Sequence, residues 1–374
     1  MPVASGEEEL RAREALAEAR LFLVQTAAFL LLAFLAWGTG FSRDAADRWL
    51  AAWQPAPGGW LEWAAVRFSF VAAWILAYEI LLFPVSVVLG GGAEDAAAGR
   101  FAAWCKRHLL GVAGESAFLG TVFLAFYALQ RFSPGWWWLA AAGLYAFLQI
   151  GCGLFADAWI LPALHPPRPL EDPALLASVR RAGSRAGLDV RGLCVRETGD
   201  RVTVSGLGNR VRVVFPEAMA ADGAADAETK AFFAAKAVAA RSLAADGTLC
   251  AVNVLSAACA LFLASRFTQT VAHAAGLPGG DGALAAFPLL AGSLFALGEI
   301  LGGAYHALSR ALELRSDRLA ADWAGGKEVA RKAIAADAEA AGEPRELPAW
   351  ATWLRKTPTP GERMRAVDGT RAGE

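Results

Sequence analysis

Glu313 and Asp317 stand four residues apart in the run SRALELRSD, so on a helix both carboxylates project from one face, with Arg310 one turn earlier. Carboxylates placed this way can hold a cation or share a proton, and a metal-dependent hydrolase needs such an acidic ligand. The complement of that ligand would be HExxH, two histidines one helical turn apart around a carboxylate base. The chain has four histidines, His108, His165, His273 and His306, and none has another four positions on. His306 lies two helical turns before Glu313 on a similar face and offers a conceivable pair at a metal. Glu313 equally fits an ordinary solvated helix carboxylate. The five cysteines (Cys105, Cys152, Cys194, Cys250, Cys259) form no CxxC pair and read as small buried residues in a reducing setting. No Ser-His-Asp or Cys-His-Asp signature is present. The glycines at 90–92 and 206–208 lack the strand-to-helix context of a phosphate loop.

These side chains are carried by a very apolar chain. Of 374 residues 56% are hydrophobic, the mean hydropathy is +0.37, and fourteen are tryptophan. That composition is a membrane protein's. A net charge of −1 excludes a nucleic-acid-binding footprint. Six runs approach the roughly 20 residues that cross a bilayer: Leu21–Phe41, Phe68–Leu89, Leu109–Gln130, Trp136–Leu161, Thr248–Ser265 and Leu284–Leu308. With the N-terminus inside, thirty of the thirty-five lysines and arginines fall on the cytoplasmic side; the exceptions are Arg43, Arg48, Arg67, Arg131 and Arg266. The start carries glutamates where a signal peptide would be basic, and predicts a short polar cytoplasmic helix over 1–20. The expected organisation is this segment, four spans over 21–161, a polar domain over 162–247, two spans over 248–308, and a helical part over 309–374 that completes the polar domain.

Within 162–247 the prolines of LPALHPPRPLEDP stop any helix leaving the fourth span. A helix is predicted over Pro173–Ala186, then β-runs at Val190–Arg196, Arg201–Val204 and Val211–Phe215, the last two forming a hairpin around Gly206–Asn209. Helices are predicted over Glu228–Ala245, Ser309–Ala324 and Lys327–Ala341. The fold class is therefore an all-α membrane bundle of about six transmembrane helices with a small α/β insertion.

The order of these parts resembles the integral-membrane zinc metallopeptidases that include the type I CaaX prenyl protease, from about residue 64 to 367. The likeness is carried by ILLFPVSVVLGGG, RFSPGWWWL, ILPALHPPRPLEDPALLASV, VTVSGLGNRVRVVFPEAM, SRALELRSD and TPTPGERMRAV. It implies a gluzincin-like α/β peptidase insertion, zinc as the cofactor, Glu313 as its third ligand, and a large aqueous chamber enclosed by the helices.

The departures bear on function. Laid on TKAFFAAKAVAARSLA, the family pattern puts Ala235 and Ala239 at the histidine positions and Lys236 at the general base. The edge strand's usual Asn-Ala is Arg201-Val202, and the closing histidine is Thr357. Alanine has no lone pair for a metal, and an ammonium can be neither ligand nor carboxylate base. The remaining site is Glu313, Asp317, Arg310, Arg363 and Lys236, with no zinc or other cofactor expected. A carboxylate that has lost its metal in a partly buried place needs another cation, so Lys236 is expected to bridge to Glu313 or Asp317.

Glu79, Glu115, Asp157 and Glu299 fall in or beside predicted spans, where carboxylates usually face a bundle interior or a wet cavity. They are candidate chamber-lining residues, or interfacial ones if the spans are displaced. The expected function is that of a catalytically inactive relative of the CaaX-type membrane peptidases, binding a peptide or a lipidated protein tail in the chamber. An active peptidase with non-standard ligands, and a transporter or channel, are the alternatives. The lipid bilayer is the expected surrounding, and the alanine and arginine richness points to a bacterial inner membrane.

Overall fold

The computed structural model describes residues 3–53, 59–89, 92–97, 99–155, 161–197, 199, 201–206, 208–221, 225–277 and 284–369. The helices are α1 (Val3–Gly38), α2 (Phe41–Trp53), α3 (Trp60–Leu89), α4 (Gly92–Ala97), α5 (Phe101–Phe132), α6 (Trp137–Phe155) and α7 (Leu161–Leu164). Next come β1 (Arg168–Pro169), α8 (Pro173–Arg185), β2 (Asp189–Arg196), β3 (Thr203–Ser205) and β4 (Arg210–Pro216). The chain continues through α9 (Glu217–Ala220), α10 (Ala227–Ser242), α11 (Ala245–Ala274), α12 (Phe287–Trp323), α13 (Lys327–Ala341), α14 (Ala349–Trp353) and α15 (Pro360–Asp368).

Among the described residues five helical stretches are long and apolar enough to cross a membrane: Arg11–Gly38, Trp60–Val88, Phe101–Phe132, Ala245–Ala274 and Leu284–Trp323. The predicted fourth span is a shorter apolar helix, Trp137–Gly151, among the described residues. Three elements run further than their hydropathy suggests. The polar N-terminal segment is continuous with the first span in α1. The brief fifth span extends to Ala274. The sixth span and the Ser309 helix are the single helix α12. In each case no proline interrupts the flanking residues, so the helix propagates past the apolar stretch.

The chain divides into two compact units, Leu16–Ala146 with Val254–Gly302, and Met1–Ala15 with Phe147–Asn253 and Gly303–Glu374. The first is helical. Its interior is built from Val66, Phe70 and Val71 of α3, Phe123 and Tyr127 of α5, and Trp137 of α6. On the outside, Leu76, Ile80, Leu81, Leu109, Leu110 and Phe118 are exposed. An apolar exterior on long helices is the pattern of lipid-facing surface.

The second unit is α/β. Its sheet has the order β1-β2-β4-β3, with β2 and β4 parallel and the other pairs antiparallel. The predicted hairpin is β3–β4, and Val204 pairs with Val213. Its turn needs glycine at 206, where φ is +134° and a Cβ would collide with the Arg210 carbonyl. Val211, Val213 and Phe215 of β4 pack with Val190 and Leu193 of β2 against Leu175, Val179 and Ala182 of α8. That i, i+4, i+7 spacing gives α8 one apolar face. Phe232, Ala235 and Val238 of α10, Ala320 of α12 and Ile334 of α13 complete the core.

Helix α10 is started by Asp226, whose side chain accepts from Thr229 N at 2.8 Å and from Lys332 of α13. The Lys332 hydrogen bond, then those from Thr229, hold the Asp226 carboxyl well below the usual carboxylate range. A depressed carboxylate stabilises above its unfolded value, about 3.9, and that contribution is lost as pH falls from there toward the folded value. Asp226→Ala is therefore expected to cost about 1 kcal/mol at neutral pH, through the lost cap. Urea unfolding as a function of pH should find the gap from the parent narrowing below about pH 4; a gap that widens in acid would contradict this assignment.

Candidate functional site: a charged network on α10, α12 and α15

Helix α10 passes α12 in the α/β unit, and the packing of its small residues lets Lys236 reach α12. Ala235 and Ala239 are buried, at 1% and 0% exposure, and put only methyl groups against the core. Lys236 Nζ lies 2.9 Å from Glu313 Oε1 and 3.0 Å from Asp317 Oδ1. One ammonium thus bridges two carboxylates a helical turn apart. Asp317 is completely buried, and its second partner is Arg363 of α15, with Nε 2.9 Å from Oδ2 and Nη2 3.3 Å from Oδ1. Arg363 also donates through Nη1 to Asp337 Oδ2 of α13 at 2.9 Å. Burial pushes the Arg363 guanidinium down, but Asp317 and Asp337 outweigh it, so the group is raised and stays charged. Arg201 Nη1 is 4.0 Å from Glu313 Oε1 on a side chain 60% exposed, an outlying member of the set.

The position of α15 has its own local cause. Thr359 and Glu362 form a capping box, Pro360 occupies the first turn, and Gly369 ends the helix at φ +82°. This rigid start presents Arg363 to α12.

Four of the sequence-derived site residues therefore meet: Lys236, Glu313, Asp317 and Arg363. Arg310 does not join them. Its Nη1 donates to the carbonyls of Thr352, at 2.9 Å, and Arg355, which ties α14 to α12. Asp337 is a network member that sequence reasoning missed; on α13 it is one of three acidic residues in an alanine-rich helix, with nothing local to mark it. Among the described residues no three His, Cys, Asp or Glu side chains converge as a metal site, so His306 and Glu313 have no third donor.

The intramembrane carboxylates separate. Glu79 and Glu115 line one cavity of about 830 Å³ within the helical unit, and His108 lines it too. Glu299 is not among its lining residues, and Asp157 lies outside the described residues.

No family model and no curated protein sequence matches the chain. Its structure is similar to the crystal structure of S. mikatae Ste24p, at 14% sequence identity and a TM-score of 0.65, over 97% of this chain and 89% of that one. With five helices able to cross a membrane among the described residues, and a small sheet, the chain is an integral membrane protein with a Ste24p-like fold.

Proposed function

We propose that this chain is a catalytically silent relative of the membrane-embedded CaaX-type zinc metallopeptidases, in which a lysine takes over the structural task of the metal. The observation that carries this reading is the ammonium of Lys236 within 3.0 Å of both Glu313 and Asp317. A catalytic zinc needs three protein ligands and an open position for water. At the positions where the family resemblance calls for two imidazoles stand Ala235 and Ala239, and Lys236 occupies the place of the general base. The residues present do not fit zinc, because the one remaining ligand, Glu313, already faces a cation that repels a second.

Binding is the role left to such a scaffold. Strand β3 ends the sheet, so an extended peptide can add to it by strand pairing. In the family resemblance the occupant of the helical chamber is a peptide or a lipidated tail.

The test is metal analysis of the purified protein after exposure to excess zinc and desalting, with a peptidase assay on the same sample. No stoichiometric zinc and no cleavage are expected, with or without chelator. Stoichiometric zinc that disappears in Glu313→Ala, or cleavage that a chelator stops, would overturn the reading in favour of an active enzyme with unorthodox ligands.

A further inference from the structure

The cavity of the helical unit has two unlike walls. One is hydrocarbon and aromatic: Phe22, Phe29, Trp74, Phe287 and Phe295. The other carries Glu79, Glu115, His108, Tyr78, Gln25 and Thr26. Its volume is that of a site for one small ligand.

The polar wall carries two carboxylates and little positive charge to balance them. Tyr78 spends its hydroxyl hydrogen on the Gln25 carbonyl at 2.8 Å. His108 Nε2 stands 3.8 Å from Glu79 Oε2, beyond hydrogen-bond distance, and its ring stacks on Trp104. Glu115 has neither an ion pair nor a hydrogen bond among the described residues. Thr26 Oγ1 is buried without a hydrogen-bond partner. Carboxylates within a span are costly unless paired or functional, and this pair lacks a full complement of cations. A metal ion does not answer the need, since Glu79, Glu115 and His108 do not converge as ligands. What fits is a group with several N–H donors and a positive charge, attached to an apolar body.

We propose that this cavity binds one single-chain amphiphile whose polar end is a primary ammonium, shared between Glu79 and Glu115, with its hydrocarbon chain against the aromatic wall. An ammonium brings three donors, and Glu79, Glu115 and Thr26 Oγ1 are three acceptors for them. An acid head group would meet the two carboxylates and be repelled. An alcohol would offer one donor and no charge. The inference goes beyond the peptide or lipidated tail proposed above and does not depend on the silence of the Lys236 centre, which shares none of these residues.

The experiment is equilibrium binding of dodecylamine, dodecanol and dodecanoic acid to the detergent-solubilised full chain, with native mass spectrometry counting bound molecules. One dodecylamine per chain is expected, held about tenfold or more tighter than the other two, the effect of charge-assisted hydrogen bonds. Glu79→Gln with Glu115→Gln should remove that preference, bringing dodecylamine to the affinity of dodecanol. Gly111 lines the cavity, and a Cβ there meets nothing within 4 Å, so Gly111→Phe should fold and weaken all three ligands together. Equal affinity for amine, alcohol and acid would overturn the proposal. So would an amine preference that survives both glutamine substitutions, or no saturable binding at all. Zinc analysis of the same preparations reads the Lys236 centre separately, so either idea can fail while the other stands.

Discussion

Arg363→Met is expected to destabilise the α/β unit by about 3–5 kcal/mol, the loss seen when one partner of a buried ion pair is removed. Asp317 is wholly buried and takes two hydrogen bonds from Arg363, through Nε and Nη2. Methionine fills most of the guanidinium's space but returns neither donor, so the carboxylate keeps only Lys236. Asp337, more exposed, can turn to water and adds little. Restoring charge balance with Asp317→Asn in the methionine background should recover a large part of the loss. Denaturant unfolding of single and double variants gives the coupling energy. A loss under about 1 kcal/mol would mean that the network is solvated in a way its geometry does not reveal.

Lys236→Met should cost about 2–3 kcal/mol, less than Arg363→Met, because Asp317 retains Arg363 and only Glu313 is stranded. Glu313 is left with Arg201 at 4.0 Å, on a mostly exposed side chain that water screens. The diagnostic is rescue. If the ammonium is the counter-ion for Glu313, Lys236→Met with Glu313→Gln should regain most of the lost stability, whereas Glu313→Gln alone should be mildly unfavourable. Lys236→Arg should be tolerated poorly, since a planar fork cannot sit between the two carboxylates as a compact ammonium does. If the double variant is no more stable than Lys236→Met, the bridge is incidental and the proposed replacement of a metal by lysine fails with it.

Much of the scaffold is legible in the residue order. Apolar runs mark the spans because a bilayer demands them. The prolines before Asp172 and the glycine at 206 mark the helix start and the hairpin turn, because backbone sterics allow little else there. The predicted strands Val190–Arg196 and Val211–Phe215 and the Lys327–Ala341 helix fall where the structure has them, and the predicted Arg201–Val204 run is displaced to Thr203–Ser205. Helix lengths are less legible: α1, α11 and α12 each continue beyond the apolar stretch, since a helix needs only the absence of a breaker to propagate, whereas hydropathy records only where the solvent changes.

Spacing along one helix establishes that Glu313 and Asp317 share a face, and the family pattern brings Lys236 to that face. Spacing cannot name the other helices that meet it. Arg363 meets Asp317 and Asp337 at separations of 46 and 26 positions in the sequence, and Arg310, one turn from Glu313, leaves the network for the carbonyls of Thr352 and Arg355. The same holds among the spans, where Glu79, Glu115 and His108 share a cavity that Glu299 does not line. Periodicity and composition are local and survive in the one-dimensional chain. Which carboxylate finds which cation is settled by packing between helices, where a fraction of a turn decides whether a side chain meets a partner, a cavity or lipid.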